Sequence, residues 1–170
     1  MNTIGFRILA CGVLLAILAA APAHAFLDDI TIEIKQDTDK EFISYDDQLE
    51  TLQFSIELKN TTQNEIRGKM WVYIIGENVG KEAKRNKYAM LDIQKMPVKL
   101  ERYEEAKYQT KEIENEFDRY WITHGAEYYG VMVAIKDMDG KVVASKSNRQ
   151  KLEKLADEIM KTKKGKSFDD

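Results

Sequence analysis

The stretch EYYGVMVAIKDMDGKVVASKS, residues 127–147, constrains the chain more than any other. In a strand successive side chains point to opposite faces. Tyr129, Val131, Val133 and Ile135 lie on one face of its first arm, and Tyr128, Gly130, Met132 and Ala134 on the other. Both faces are apolar, so this arm belongs inside a sheet that is covered on both sides. Asp137-Met138-Asp139-Gly140 then supplies Asp-Gly, the pair that tolerates the positive φ of a type I′ or bulged turn. The second arm sets Val142 and Ala144 against Val143 and Ser145. A central antiparallel hairpin is predicted, and the rest of the chain must cover it.

The remaining segments read mostly as strands. Ile30, Ile32 and Ile34 alternate with Thr31, Glu33 and Lys35, and Leu52, Phe54, Ile56 and Leu58 alternate with polar neighbours. Each pattern fits a strand with one buried face. Residues 36–47 are polar and acidic around Phe42, Ile43 and Tyr45 and read as an ordered loop. Residues 60–64, NTTQN, form a turn cluster whose short side chains bond back to the backbone; Asn60-Thr61-Thr62 also matches a glycosylation sequon. IRGKMWVYIIG, residues 66–76, is a second two-sided strand, with Trp71, Tyr73 and Ile75 on its aromatic face.

Beyond it, residues 77–87 are a charged loop. Residues 88–93 and 98–100 read as short strands on either side of Pro97, which suits an edge or a break because it lacks an N–H. Residues 104–114 read as a polar edge strand, and 115–125 as a loop or short helix. The period then changes: Leu152, Leu155, Ala156, Ile159 and Met160 form one stripe, predicting a four-turn amphipathic helix over 149–164 with Asn148 as its cap. Residues 165–170 read as a fraying polar tail. With no alternating helices, the expected fold is mainly β, an immunoglobulin-like antiparallel β-sandwich of about seven strands over 26–148, followed by the amphipathic helix. Tyr128 and Tyr129 stand where a tyrosine corner would staple the connection.

Residues 1–25 have the parts of a secretory signal: Arg7, an apolar run over 8–21, and Ala23-His24-Ala25 before Phe26. Two other readings attach to the same segment. Ile8-Leu9-Ala10-Cys11 is superficially a lipobox, and Gly5-Phe6 is similar to a prepilin cleavage site, after which the apolar run would stay as an anchoring helix. Cleavage before Phe26 removes the only cysteine and leaves 25 basic and 29 acidic residues, a net charge of −4. Such a domain has no disulfide and relies on core packing. Its mixed, mildly acidic surface gives no electrostatic case for nucleic acid. A membrane enters only if the N-terminal apolar segment is retained.

His124 is the only histidine after that cleavage, and with no cysteine the usual four-ligand zinc site is out of reach within one chain. No G-x-S-x-G elbow accompanies it. Acidic pairs such as Asp28-Asp29 and Glu104-Glu105 lack a cleft that would set them around a sugar, and Asp137 and Asp139 are explained by their turn. No enzyme activity, metal or cofactor is expected. Tyr120, Trp121 and His124 form the candidate binding group, since an exposed aromatic platform suits sugar or partner binding. Trp71 and Tyr73 are expected beneath the C-terminal helix.

The succession of WVYIIG (71–76), EYYGVMVAI (127–135) and D-x-D-G-K-V-V-A (137–144) resembles small exported immunoglobulin-like proteins of envelope-rich bacteria, some of them associated with type IV pilus systems. That resemblance implies an exported, non-enzymatic domain acting through contacts with an envelope or pilus protein, in the periplasm or at the surface. It carries no functional residue with it. Edge strands around 98–100 or 104–114 would offer strand addition. The alternatives are a carbohydrate-binding module using Tyr120 and Trp121, and a membrane-anchored pilin-like subunit.

Overall fold

The computed structural model describes residues 29–44, 47–79, 82–118 and 125–169. The expected signal peptide lies outside them. Nine strands are present among the described residues: β1 (Ile30–Phe42), β2 (Asp47–Asn60), β3 (Ile66–Asn78), β4 (Tyr88–Leu100), β5 (Glu105–Gln109), β6 (Ile113–Asp118), β7 (Ala126–Asp137), β8 (Val142–Ser147) and β9 (Ser167–Phe168). Two short helices, α1 (Gln150–Lys154) and α2 (Ala156–Lys161), stand between β8 and β9. One sheet runs β1-β2-β5, with β6 pairing β2 beyond β5; the other runs β8-β7-β3-β4-β9. Every pairing is antiparallel. The fold is therefore mainly β, two sheets in a sandwich.

The core follows from alternation. Leu52, Phe54, Ile56 and Leu58 of β2 face Met70, Val72 and Ile74 of β3 and Val131, Val133 and Ile135 of β7 in one buried cluster. Full burial of each such side chain stabilises by about 2 kcal/mol before chain entropy is counted. A second cluster lies on the opposite face of the five-stranded sheet, where Tyr73, Ile75, Tyr88, Met90 and Met132 meet Leu152, Ile159 and Phe168 from the C-terminal segment. The hairpin's first arm is central as expected, because β7 lies between β8 and β3, but its second arm, β8, ends the sheet, so the hairpin as a whole is not central. Its turn closes through Gly140 N–H to Asp137 O at 3.1 Å, with Gly140 at φ +84°.

Several boundaries differ from expectation. β1 continues to Phe42 through a stretch read as loop, because its backbone pairs with β2 as far as Gln48 although its side chains are largely exposed. β4 runs unbroken through Pro97, which stands where β4 has no second neighbour and a missing N–H costs no ladder bond. Asn115 and Phe117, expected in a loop or helix, pair with Glu50 and Gln48 in β6. Asn60 does close its turn as expected: Oδ1 accepts from Thr62 N–H at 2.9 Å. Its Nδ2 donates to Asn64 O at 2.7 Å and Glu101 O at 2.9 Å, so the buried amide is unavailable to a glycosylating enzyme in the folded chain.

The single four-turn helix is also corrected. Leu155, at φ −97° and ψ 10°, separates α1 from α2, and its N–H bonds three residues back to Leu152 O, a tight 3-10-like step. Asn148 does not cap the helix; its Oδ1 accepts from Val131 N–H at 2.9 Å and its Nδ2 donates to the Tyr128 hydroxyl at 3.0 Å. Helices this short are unstable alone and persist through packing. Gly130 makes room for them: a Cβ there would lie 2.8 Å from Leu152 Cδ1 and 3.0 Å from Arg149 Cγ. The tail expected to fray forms β9, with Phe168 buried against Tyr88 at a centroid separation of 5.5 Å. Tyr128 is no backbone-bonded corner: its hydroxyl donates to Gln36 Oε1 at 2.9 Å, tying β7 to β1.

Candidate binding cleft

Tyr120, Trp121 and His124 lie outside the described residues, on the connection between β6 and β7. The base of that connection is held from below. Glu50, fully buried on β2, accepts from Tyr128 N–H at 2.9 Å and from Asn115 Nδ2 at 3.2 Å, and its other oxygen is 2.5 Å from Lys40 Nζ. Asn115 Nδ2 also donates to Ala126 O at 2.8 Å. Burial works against the Lys40 charge, but its hydrogen bonds and attraction to Glu50 and Glu127 outweigh this and hold its pKa above the ordinary lysine value. Glu50 thus joins β1, β2, β6 and β7 through Lys40, Asn115 and Tyr128, which makes the cluster a staple.

An open cleft is found elsewhere. Among the described residues, only the first part of β4 has a partner on its outer side: Tyr88 and Ala89 pair with Phe168 and Ser167, and Met90 exchanges hydrogen bonds with Lys166 O at 2.9 Å and Gly165 N–H at 2.8 Å. From Asp92 onward, β3 is the only strand beside β4 among the described residues. In the other sheet, the break between β5 and β6 leaves a second open edge. A cleft of about 630 Å³ lies between them, walled by Asp92 to Met96 on one side and by Gln109 and Lys111 to Ile113 on the other.

Its floor is polar and fully bonded. Gln94 Nε2 donates to Lys111 O at 2.9 Å while Gln94 Oε1 accepts from Lys111 N–H at 2.8 Å, so one side-chain amide pairs with a backbone as a strand would. The same Nε2 donates to Asp92 Oδ2 at 3.1 Å. Asp92 Oδ1 meets Lys164 Nζ at 2.7 Å. Burial pushes against the Asp92 charge, but Lys164 and Gln94 hold its carboxyl below the usual carboxylate range. Of the edges expected around 98–100 or 104–114, the second reaches this cleft, at Gln109 and Lys111 to Ile113, and the first lies beyond its β4 wall. The sequence reading missed Asp92, Gln94 and Lys164, whose roles arise from contacts between distant segments.

Among the described residues no group of His, Cys, Asp or Glu is placed to hold a metal ion, and no helix is long and apolar enough to cross a membrane. What the geometry defines is a two-sheet β-sandwich with two strand edges that no other strand pairs among the described residues, opening on one cleft. No protein-family model matches the chain, and no curated protein matches it. Among solved structures, the chain is similar to a beta-glucuronidase from glycoside hydrolase family 2, at 17% identity and TM-score 0.39, over 66% of this chain and 10% of that one. It is also similar to Bacteroides uniformis beta-glucuronidase 2, at 14% identity and TM-score 0.42, over 71% of this chain and 12% of that one. A structural genomics target solved by X-ray is 9% identical, with TM-score 0.41, over 72% of this chain and 88% of that one. The chain thus spans about a tenth of the length of the two glucuronidases.

Proposed function

We propose that this is a non-enzymatic, exported binding domain of immunoglobulin-like type that holds an extended segment of an envelope protein, in a pilus or other surface assembly, along the open edge of β4. Export and envelope association rest on residues 1–25 and on the resemblance described above. The type rests on strand order. With β1, β2, β3, β5, β7 and β8 read as A, B, C, E, F and G, the sheets are A-B-E and C-F-G, as in a constant-type domain. The fourth strand has moved from the flank of E to the flank of C, and that shift leaves both edges of the cleft open.

The observation that carries the reading is β9. The chain's own C-terminal strand already adds to the β4 edge and stops after two residue pairs, leaving a further stretch of the same edge unpaired. Main-chain bonds to such an edge supply affinity, and adjacent side-chain pockets supply selectivity. Lys95, Pro97 and Lys99 on β4 restrain promiscuous pairing. A photo-crosslinking residue at position 95 in the native envelope should give a discrete protein adduct, and one at Thr31 on the far edge none. Amide exchange along β4 from 92 to 100 should slow in the adduct. Absence of an adduct at 95, or equal labelling at both positions, would overturn the reading.

A further inference from the structure

The lysines of the two sheets are treated differently. On the outer face of the four-stranded sheet they alternate with carboxylates: Glu57 lies between Lys35 and Lys107, and Lys59 meets Glu105 at 2.5 Å. On the outer face of the five-stranded sheet, Lys69 (β3), Lys95 (β4) and Lys136 (β7) form no ion pair among the described residues. The ladder sets them around one indole. Trp71 is the register partner of Lys95, and Lys69 is the partner of Lys136. Like charges directly opposite one another destabilise a sheet. This chain, with an excess of acidic residues, keeps such a pair and puts no carboxylate between them.

Trp71 orders the group. Lys95 Nζ lies 3.8 Å and Lys136 Nζ 4.7 Å from its ring centroid, so two ammonium groups are held by cation–π attraction before any ligand arrives. Pre-ordering long side chains removes part of the entropic cost of binding. Beside them is a hollow of about 230 Å³ lined by Lys69, Trp71, Lys136, Asp137, Met138 and Gly140. Asp137 is the one carboxylate on its rim, and its Oδ1 is engaged by the N–H groups of Asp139 and Lys141 in the hairpin turn.

We infer that this face is a binding site for an acidic saccharide, whose carboxylate or sulfate groups meet Lys69, Lys95 and Lys136 and whose ring packs in the hollow beside Trp71. Lys95 also stands on the wall of the β4 cleft, whereas Lys69, Trp71 and Lys136 lie outside that wall and belong to this site alone. A flat anionic bilayer fits it less well. Met138, 77% exposed at the hairpin tip, is flanked by Asp137 and Asp139, which such a surface would repel.

The test uses a Trp121→Phe background, in which Trp71 is the only indole. Tetragalacturonate should change its emission saturably, and neutral maltotetraose should not. Lys69→Gln with Lys136→Gln should weaken binding about tenfold, as should 0.5 M NaCl. The double variant should melt close to its parent, because the Lys69–Lys136 repulsion it relieves offsets the Lys136–Trp71 attraction it removes, so lost binding would not reflect lost fold. Equal response to the neutral sugar, affinity unchanged by the double substitution, or saturable binding to phosphatidylglycerol vesicles with none to the uronate would each overturn the assignment.

Discussion

The two sheets of this sandwich share one core but differ in what lies behind them. The four-stranded sheet has one apolar face; its other face carries Thr31, Glu33, Lys35, Ser55, Glu57 and Lys107. The five-stranded sheet has a second apolar area on its outer face, around Tyr73, Tyr88 and Met132, and relies on α1, α2 and β9 to cover it. The same backbone geometry thus serves either as an outer wall or as a middle layer, and the C-terminal segment is what makes the difference.

Removing that segment should give the largest effect. A chain ending after Ser147 loses the burial of Leu152, Ile159 and Phe168 and uncovers Tyr73, Tyr88 and Met132. At about 2 kcal/mol for each lost side chain, it should be destabilised by about 6 kcal/mol, enough to unfold a marginal domain. Denaturant unfolding and binding of a hydrophobic dye would read this. An unchanged midpoint would mean that the segment does not cover the sheet.

The next effect belongs to the place where the sheets are tied together. Glu50→Ala leaves the Tyr128 N–H and the Asn115 amide without their acceptor at the buried end of β2, and should cost about 3 kcal/mol. Lys40 is partly exposed and can return to water, which keeps the loss below that of a fully buried pair. Urea midpoints of Glu50→Ala and Glu57→Ala make the comparison, the second sitting on the solvated face of the same strand.

The covered face also holds a defect. The Tyr73 hydroxyl is buried with no hydrogen-bond partner among the described residues. Tyr73→Phe removes it and should raise stability by about 1 kcal/mol. Burial pushes the Tyr73 phenol up to about 12. A raised folded pKa gives a contribution that is complete below the unfolded value near 10 and is lost as pH rises through about 12. The alkaline limb of the stability curve should therefore be shallower in Tyr73→Phe. It should not vanish, since burial pushes Tyr128 up to about 12 as well. Asp92 gives the acid counterpart. Its lowered pKa supplies stability that is present above about pH 4 and is lost as pH falls through the folded value. Asp92→Asn should flatten that acid limb.

How far each region was legible in the sequence follows the same division. The inward register of β2 from Leu52 to Leu58 buries alternate apolar residues, and a period of two reveals it directly; the same buried row continues through Gln48, Glu50 and Asn60, whose polar side chains hide it. The double-sided apolarity of β3 and β7 signalled that something must cover the outer face, and the Leu152–Ile159 stripe identified the cover. Its form was not visible, because a stripe at helical spacing reads the same whether the helix continues or breaks at Leu155. Hydrogen bonding that ignores side-chain polarity was equally hidden. The outer part of β1 and β6 beyond Glu114 are held by the backbone ladder, and β9 is two residues in a polar tail. The cleft was half visible: polar edge strands mark themselves by charge, whereas the Gln94–Lys111 bracket depends on two segments meeting in three dimensions.

The smallest predicted effects separate the sheets by sign. Lys35→Gln takes one of two cations from Glu57, 3.8 Å away, while Lys107 remains at 3.7 Å. An exposed pair of this kind contributes little, so the loss should be about 0.3 kcal/mol. Lys69→Gln on the other sheet removes a charge that faces Lys136 across the ladder, and the change should be a gain of similar size, about 0.3 kcal/mol. Each value is near the limit of a single melting curve, but their difference is not, and it can be measured on paired denaturant titrations. Salt supplies the control, since at 1 M the screening length falls to about 3 Å and both effects should shrink toward zero. A loss for Lys69→Gln equal to that for Lys35→Gln would mean that Lys69 has a stabilising partner. The lysines around Trp71 would then be an ordinary solvated face.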